Sequence, residues 1–378
     1  MRYLSRFVHG VCISAIAGCS GSVPDDGADA DGIPTWTIDA EPRSRIGVED
    51  GDPRYLFDRV ADVRLLADGG VVVADDGAST IRVFSSDGTH LASMGGPGEG
   101  PGEFRWTGHV SVLHPDTILV YDGSLFRVTR FLTDGTLIGT LPVRPEDGSP
   151  EAYLGTYSNG DAAIAWIVPG LRDPVQAIPD VMKLGRFDGD GALVTVLVTT
   201  EGMRRLGPGP VPFSPFLYAW LVRDSVFYTD GREPSLTVLD EEGLHARTIT
   251  IPLAAPDLDA AWSTLRVELA ARDQEQRLDA FPAGARTEPV PAVARVVLDS
   301  GERFWLKHYE PRTDSYLVGG GSRAGGGQWT VVSIDGRIQA EVEVPDGFVP
   351  LDVSERFVAG VHRDELGVER VLVLDLGK

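Results

Sequence analysis

Cysteine and positive charge are both scarce in this sequence of 378 residues, and each scarcity excludes a class of protein. The two cysteines, Cys12 and Cys19, lie near the start, so the rest of the chain cannot be a disulfide scaffold. Lys and Arg number 34 against 56 Asp and Glu, which gives a net charge of −22. Because such an acidic surface repels phosphate groups, we expect no nucleic-acid partner and no attachment to anionic lipid through a basic patch.

A long hydrophobic run is also missing. Residues 7–17 are mostly apolar, but they fall short of the roughly 20 residues that span a bilayer. Two arginines precede this run, and it ends in Ile16-Ala17-Gly18-Cys19, which resembles the bacterial lipobox. The resemblance implies that residues 1–18 are a lipoprotein signal peptide and that Cys19 is lipidated. An ordinary signal peptide with a chance cysteine is the alternative.

The residues after Cys19 predict a tether rather than a domain. Residues 19–33 are small, polar and acidic, and they cannot bury enough apolar surface to fold. Ser20 stands where an Asp would resemble an inner-membrane retention signal, which favours the outer membrane. We therefore expect a bacterial envelope protein that faces the periplasm, with the lipid anchor as its only membrane contact.

The remaining chain is organised by a repeat with a period of 47 residues. FDRVADVRLLADGGVVVADD begins at Phe57, and the similar FRWTGHVSVLHPDTILVYDG begins at Phe104. A later turn recurs at Asp87-Gly88 and Asp134-Gly135, where glycine supplies the positive φ that a tight hairpin requires. A period of about 40–50 residues with several short strands is typical of a β-propeller blade.

The two ends of the repeat array predict how the fold closes. Six first hairpins occur along the chain, but the sixth unit ends before its outer strand. The strand-like segment Thr35 to Gly47 has no partner of its own, and pairing it there would cover exposed strand edges. We expect an all-β fold: a six-bladed β-propeller over residues 34–378 that is closed by the N-terminal strand. A helical pattern over about 257–281 predicts a short helical insertion between blades four and five, either a cover for an apolar patch or a lid over the channel.

Two segments resemble a known group of proteins. GGPGEGPGEF, residues 95–104, is similar to the loop of NHL-type propellers. PAVARVVLDSGERFWLKHYEP resembles the fifth blade of the bacterial 6-bladed β-propeller proteins, a TolB-like group. The resemblance covers about residues 33–378 and implies the fold rather than the activity, since related propellers include scaffolds as well as lyases and lactonases with a metal in the central channel.

The glycine-rich segment at residues 95–104 could also suggest a phosphate-binding loop. Such a loop needs a following helix and usually a Lys, whereas here a strand follows and no Lys is present. We interpret the segment as a connection between blades. Phe57 and Phe104 are then expected to fill the seams between neighbouring blades.

Candidate functional residues come from convergent loops rather than from a catalytic motif. The sequence has no HExxH zinc pattern and no Gly-x-Ser-x-Gly nucleophile pattern. Acidic residues that follow second strands share one face of a propeller, and Arg and Trp are favoured in interfaces. The predicted ligand or partner face consists of Arg59, Trp106, His109, Asp75, Asp122, Asp230, Arg232, His308 and Arg312.

These observations predict a membrane-tethered periplasmic propeller that binds a small-molecule ligand or a protein partner without catalysis. No cofactor is predicted. The alternative is a metal-dependent lyase or lactonase with Ca or Zn in the central channel, which requires at least three inward-facing His, Asp, Glu or Asn side chains at one level. A third alternative is a subunit of an outer-membrane assembly.

Overall fold

The fold was obtained as a computed structural model that describes residues 32–113, 116–214, 216–251, 253–281, 286–318 and 325–378. The predicted signal peptide, Cys19 and most of the predicted tether lie outside the described residues. The described chain is mostly β-structure, which confirms the all-β prediction at that level. None of its helices is long and apolar enough to cross a membrane.

Short strands follow one another along the described chain and pair mainly with their sequence neighbours. The first thirteen are β1 Thr35–Ile38, β2 Ser44–Ile46, β3 Val60–Leu65, β4 Val71–Asp75, β5 Thr80–Phe84, β6 His90–Gly95, β7 His109–Leu113, β8 Thr117–Asp122, β9 Arg127–Leu132, β10 Leu137–Pro142, β11 Ser149–Thr156, β12 Ala162–Val168 and β13 Ile178–Phe187. The others are β14 Leu193–Leu206, β15 Gly209–Pro210, β16 Tyr218–Val222, β17 Ser225–Thr229, β18 Ser235–Leu239, β19 His245–Thr250, β20 Val293–Leu298, β21 Arg303–His308, β22 Gly327–Ser333, β23 Ile338–Val344, β24 Phe348–Val353, β25 Phe357–Arg363 and β26 Glu369–Gly377.

The strands of the described chain form five sheets. Four are antiparallel meanders in sequence order: β3–β6, β7–β10, β11–β15 and β16–β19. The fifth has nine strands, in which β20–β23 and β24–β26 are joined through β1, while β2 pairs with β26. Since antiparallel neighbours need only a tight turn between them, this order follows directly from the closely spaced turn signals in the sequence.

The predicted Asp-Gly turns have the backbone conformation that the sequence requires. Gly88 has φ of 84° and Gly135 has φ of 93°. In both turns the glycine N–H donates to the carbonyl oxygen three residues earlier, at 2.9 Å. A residue with a Cβ would be strained at these positions, which explains why glycine occurs at both.

The N-terminal segment pairs with the end of the chain, as the repeat array predicts. Thr37 lies opposite Gly377 in an antiparallel pair of β1 and β26, and β2 continues along β26. On its other side, β1 pairs in parallel with β23. Trp36 is buried in the core of this joint sheet and packs on Trp305, with 5.9 Å between ring centroids.

The hydrophobic core is divided into clusters that lie between neighbouring sheets. Phe104 is fully buried in the cluster formed by β3–β6 and β7–β10. Its N–H donates to the carbonyl oxygen of Gly96 at 2.8 Å, and its ring lies 6.1 Å from that of Phe131. Half-buried Phe57 packs at the next seam, between β3–β6 and the β24–β26 strands. Both phenylalanines therefore occupy seams, and the glycine-rich segment is a structural connection.

One longer helix, α1 (Leu258–Ala271), lies between β19 and β20 along the chain. Its N-cap is Asp257, whose carboxylate accepts a hydrogen bond from the N–H of Ala260 at 2.9 Å. Ala261, Leu265 and Leu269 are buried on one face against a cluster that includes Phe213.

The helix α1 ends earlier than the predicted range of about 257–281. Asp273 has a left-handed φ of 54°, which breaks the helix, and a 3-10 turn over Glu275–Ala280 follows. A second, four-residue helix α2 spans Pro311–Asp314. No residue of α1 lines the central cavity described below, so within the described chain this helix supports the wall and does not form it.

Candidate functional site

Strands at the ends of the five sheets surround a central cavity of about 1020 Å³. In the described chain these inner strands are β3, β7, β11, β16, β20 and β24, and each contributes lining residues. The strand β3 contacts β7 and β24, β11 contacts β7 and β16, and β20 contacts β24. The Tyr218 hydroxyl on β16 donates to the carbonyl oxygen of Ala294 on β20 at 2.6 Å. The inner strands thus form a nearly closed ring around the cavity.

One side of the ring carries a charged cluster that joins three inner strands. Arg64 on β3 donates from Nη2 to the Asp62 carboxylate at 2.9 Å, from Nε to the carbonyl oxygen of Val110 on β7 at 3.0 Å, and from Nη1 to that of Leu351 on β24 at 3.3 Å. The Asp352 carboxylate accepts from the N–H of Leu65 at 2.7 Å. Because buried polar groups are costly when unpaired, these bonds fix β24, β3 and β7 side by side.

Burial shifts the titration of two groups in this charged cluster. Burial raises the pKa of Asp352 to about 6, although Arg64 opposes the shift and Asp62 adds to it. Burial lowers the pKa of His109, against the opposing attraction of Asp62. The Nδ1 atom of His109 lies 3.7 Å from the Asp62 carboxylate.

The opposite side of the ring is aromatic. The strand β16 lies three inner strands away from β3 in either direction around the ring. Its Tyr218 and Trp220 line the cavity, and Phe216, two residues before Tyr218, lines it as well. The Phe216 and Tyr218 rings lie 5.2 Å apart, and the Tyr218 and Trp220 rings are parallel at 6.2 Å. The cavity thus has a charged wall and an aromatic wall, which suits an amphipathic organic molecule.

The inner strands contain β-bulges whose extra residues line the cavity. Register shifts leave Ala61 on β3, Glu151 on β11, Ala294 on β20 and Leu351 on β24 without a cross-strand partner. All four residues line the cavity. Bulges re-aim side chains and are common beside functional sites. Glu151 is the charged residue among the four.

Three of the predicted site residues meet at the cavity: Arg59, Trp106 and His109. Arg59 forms an ion pair with Asp76 at 2.7 Å, and its side chain is 54% exposed. The Asp76 carboxylate also accepts the N–H of Thr107 at 2.9 Å. The Arg59–Asp76 pair therefore joins the segments that lead into β3 and β7 at the start of these inner strands.

Asp75 and Asp122 are fully buried and bind backbone rather than the cavity. Asp75 accepts the N–H of Arg59 at 3.0 Å, and Asp122, which lies 47 residues later, accepts the N–H of Arg105 at 2.8 Å. Asp75 also pairs with Arg82 at 3.0 Å. These carboxylates anchor the loop that enters each inner strand, which explains why the repeat contains them.

The other predicted site residues lie away from the cavity in the described chain. Asp230 and Arg232 pair with each other at 3.4 Å, and Arg232 also approaches Glu201 at 3.6 Å and Glu288 at 3.8 Å. The structure does not bring them to the side chains that line the cavity.

His308 and Arg312 are likewise outside the cavity lining. The Nε2 atom of His308 lies 2.7 Å from the Thr330 hydroxyl, and burial lowers the pKa of His308. Arg312 is exposed on α2.

The described residues contain no group of three or more His, Cys, Asp or Glu side chains placed to hold one metal ion. In the charged cluster, the Asp62 and Asp352 oxygens are directed at Arg64 and at backbone N–H groups. That donor set does not fit the Ca or Zn centre that the lyase or lactonase alternative requires.

The residues that give the cavity its chemistry were not predicted from the sequence: they are Asp62, Arg64, Glu151, Arg295 and Asp352, together with the aromatic residues of β16. A signal was present for some of them. Asp62, Arg64 and Asp352 interrupt strands that are otherwise apolar, as in VADVRLL and VPLDV. A charge inside a buried strand requires a partner, so such positions mark either an ion pair or a site.

Comparison with known proteins supports the fold and gives no family. No family model and no curated protein matches the chain. A crystal structure of a Bacteroides fragilis protein thought to be exported aligns with a TM-score of 0.51 and 10% identity, over 94% of this chain and 97% of that one. With the sheet arrangement above, this match shows a β-propeller-like fold. At this identity the match shows the fold alone.

Two other solved structures align over similar lengths. An inactive variant of virginiamycin B lyase from Staphylococcus aureus has 10% identity and a TM-score of 0.43, over 91% of this chain and 100% of that one. The calcium-binding protein regucalcin from Agrobacterium tumefaciens has 11% identity and a TM-score of 0.44, over 91% of this chain and 96% of that one.

Proposed function

We propose that this protein is a six-bladed β-propeller whose central cavity binds a small organic molecule without transforming it. The blade count is supported by the inner strands β3, β7, β11, β16, β20 and β24, each of which begins a meander of the described chain. In this interpretation the nine-stranded sheet is two blades joined through β1. The helix α1 then belongs to an insertion between blades four and five.

The observation that carries the functional proposal is the cavity itself. Its volume of about 1020 Å³ lies at the upper end of the range for small-molecule sites. Its lining combines an aromatic wall on β16 with a charged wall on β3 and β24. The charged groups of that wall are held in place by hydrogen bonds to neighbouring strands, so the site is preorganised rather than formed on binding.

A thermal-shift screen against defined small organic molecules tests this proposal. A ligand that binds only the folded state raises the unfolding temperature by mass action. We expect hits with the wild-type protein that are lost in Ala61→Trp, because the bulged Ala61 lines the cavity and an indole there would fill part of it.

The matched control for Ala61→Trp is Ala270→Trp, on an exposed position of α1. This variant should keep the shifts. Hits that persist in Ala61→Trp would contradict binding in the cavity. Conversion of a hit compound into product would favour the enzymatic alternative over a pure binding function.

We also propose that the protein is lipid-anchored through Cys19 and faces the periplasm from the outer membrane. The support is the lipobox-like Ile16-Ala17-Gly18-Cys19 and the acidic segment after it. The B. fragilis structure with a similar fold belongs to a protein that is itself thought to be exported.

Metabolic labelling with radioactive palmitate tests the anchor. The wild-type protein should be labelled, and Cys19→Ser should lose the label and leave the membrane fraction, whereas Cys12→Ser should keep both. Equal labelling of wild type and Cys19→Ser would eliminate the proposed anchor.

A further inference from the structure

The carboxylates that line the cavity differ in whether they have a partner. Asp62 pairs with Arg64, Asp76 with Arg59, and Asp314 with Lys307, and each pair lies within 2.6–2.9 Å. Two others are also engaged: Asp352 accepts the N–H of Leu65, and Glu369 pairs with Arg363. Among the described residues, Glu151 alone of the cavity carboxylates has neither a hydrogen bond nor an ion pair.

The backbone places Glu151 in the cavity. On β11, Pro150 lies opposite Trp166 and Ala152 lies opposite Ala165, so Glu151 is the extra residue of a bulge. Its side chain is half-buried and lines the cavity. The extra residues of the bulges on β3, β20 and β24, namely Ala61, Ala294 and Leu351, are part of the same lining.

The surroundings of Glu151 leave its charge uncompensated. The attractive charge that acts on it is Arg205, whose Nε is already engaged by Asp180 at 2.9 Å. Burial raises the pKa of Glu151, which is the expected effect on a carboxylate that has lost water without gaining a partner.

A second polar group beside Glu151 also lacks a partner. The charge of Glu151 acts on Tyr121, which is 1% exposed, and the Tyr121 hydroxyl has no hydrogen bond with any described residue. Tyr121 belongs to the adjoining core cluster and does not line the cavity, so Glu151 is the cavity carboxylate that the described residues leave without a partner.

We propose that Glu151 is the cation-binding group of the cavity and that the ligand therefore carries a protonated amine. The inference rests on the proposed binding function and names the chemical class of its ligand. The amine donates a charge-assisted hydrogen bond to the Glu151 carboxylate, which restores the partner that the fold does not supply. Tyr153 and Phe216 line the same cavity and offer aromatic surface that favours a cation.

Isothermal titration calorimetry with benzylamine and with benzyl alcohol tests this inference. The two probes have the same ring and differ in that benzylamine is protonated at neutral pH. We expect the wild-type protein to bind benzylamine at least ~10-fold more tightly than benzyl alcohol. Glu151→Gln should remove this difference by weakening benzylamine alone, and Glu151→Asp, which keeps the charge on a shorter side chain, should restore part of it.

Glu343→Gln is the matched control. It makes the same charge change at an exposed position of β23 that does not line the cavity, so it should bind both probes like the wild type. Benzylamine binding that is unchanged in Glu151→Gln overturns the inference, as does equal affinity of the wild type for the two probes. Either result leaves the cavity proposal to be decided by the separate screen with Ala61→Trp.

Discussion

At the scale of single residues, charged side chains placed inside apolar strands organise the centre of the molecule. Arg64 reaches the backbone carbonyl oxygens of Val110 and Leu351, which belong to the inner strands on either side of it. Removing one member of such a cluster leaves its partner buried and uncompensated, which costs more than the pair itself contributes. The cluster therefore fixes the lateral register of three inner strands.

The Asp352 carboxyl makes the stability of the protein depend on pH. Its pKa is about 6 in the folded state, above the ordinary value of 3.8. The folded state therefore binds more protons than the unfolded state between about pH 4 and pH 6, so the free energy of unfolding falls as pH rises through this window. Above about pH 6 the Asp352 carboxyl is deprotonated in both the folded and the unfolded state, so its contribution to the free energy of unfolding no longer changes with pH.

We expect Asp352→Asn to remove this pH dependence, because the amide does not titrate and its oxygen can still accept the N–H of Leu65. The difference in free energy of unfolding between the variant and the wild type should therefore shift in favour of the variant by about 1–3 kcal/mol when the pH is raised from about 4 to about 7. Urea unfolding at these two pH values measures the change. Asp346→Asn, on an exposed turn, should follow the wild type, and an Asp352→Asn curve parallel to the wild type would refute the assignment.

At the scale of secondary-structure elements, β1 is short but occupies a critical place. Its four residues pair with β23 on one side and β26 on the other. Trp36 is 8% exposed, and the Arg303 guanidinium and the Lys378 ammonium lie 5.0 and 4.7 Å from its ring. A strand of this length is not stable alone, so its position depends on its pairing with β23 and β26 and on the packing of Trp36.

We expect Trp36→Ala to lower the free energy of unfolding by about 3–5 kcal/mol, since it removes a large buried side chain and leaves a cavity against Trp305. Thr35→Ala, at an exposed position of the same strand, should change it by less than about 0.5 kcal/mol. Chemical denaturation measures both. A loss below about 1 kcal/mol in Trp36→Ala would mean that β1 does not hold the two groups of strands together.

The elements were predictable to different degrees. The hairpins followed from local signals, since an acid-Gly pair determines its own turn, and the pairing of residues 35–47 followed from a missing outer strand. The end of α1 could not be predicted from the sequence, because Asp273 adopts a left-handed conformation and no Gly or Pro at that point signals the end of the helix. Asp75 and Asp122 were recognised as recurring acids, but the sequence could not reveal that both bind the loop before the inner strand.

At the scale of the whole molecule, the repeat was easier to predict than the site. The repeat consists of similar residues at a regular spacing along the chain, and such a spacing can be detected directly in the sequence. The cavity depends on side chains from strands that are more than 200 residues apart, such as Arg64 and Asp352. Glu151 was undetectable for a further reason, since it is the extra residue of a bulge and so departs from the regular alternation of its strand.

The pairing of β1 with β26 has a topological consequence. Since Thr37 lies beside Gly377 and Trp36 beside Lys378, a short peptide linker could fuse these neighbouring strands into one covalent circle. Opening that circle at the Asp87-Gly88 turn would give a circular permutant with every strand pair retained. The sheet arrangement thus has no inherent starting point, and the present order of the chain is one of several that could encode the same closed structure.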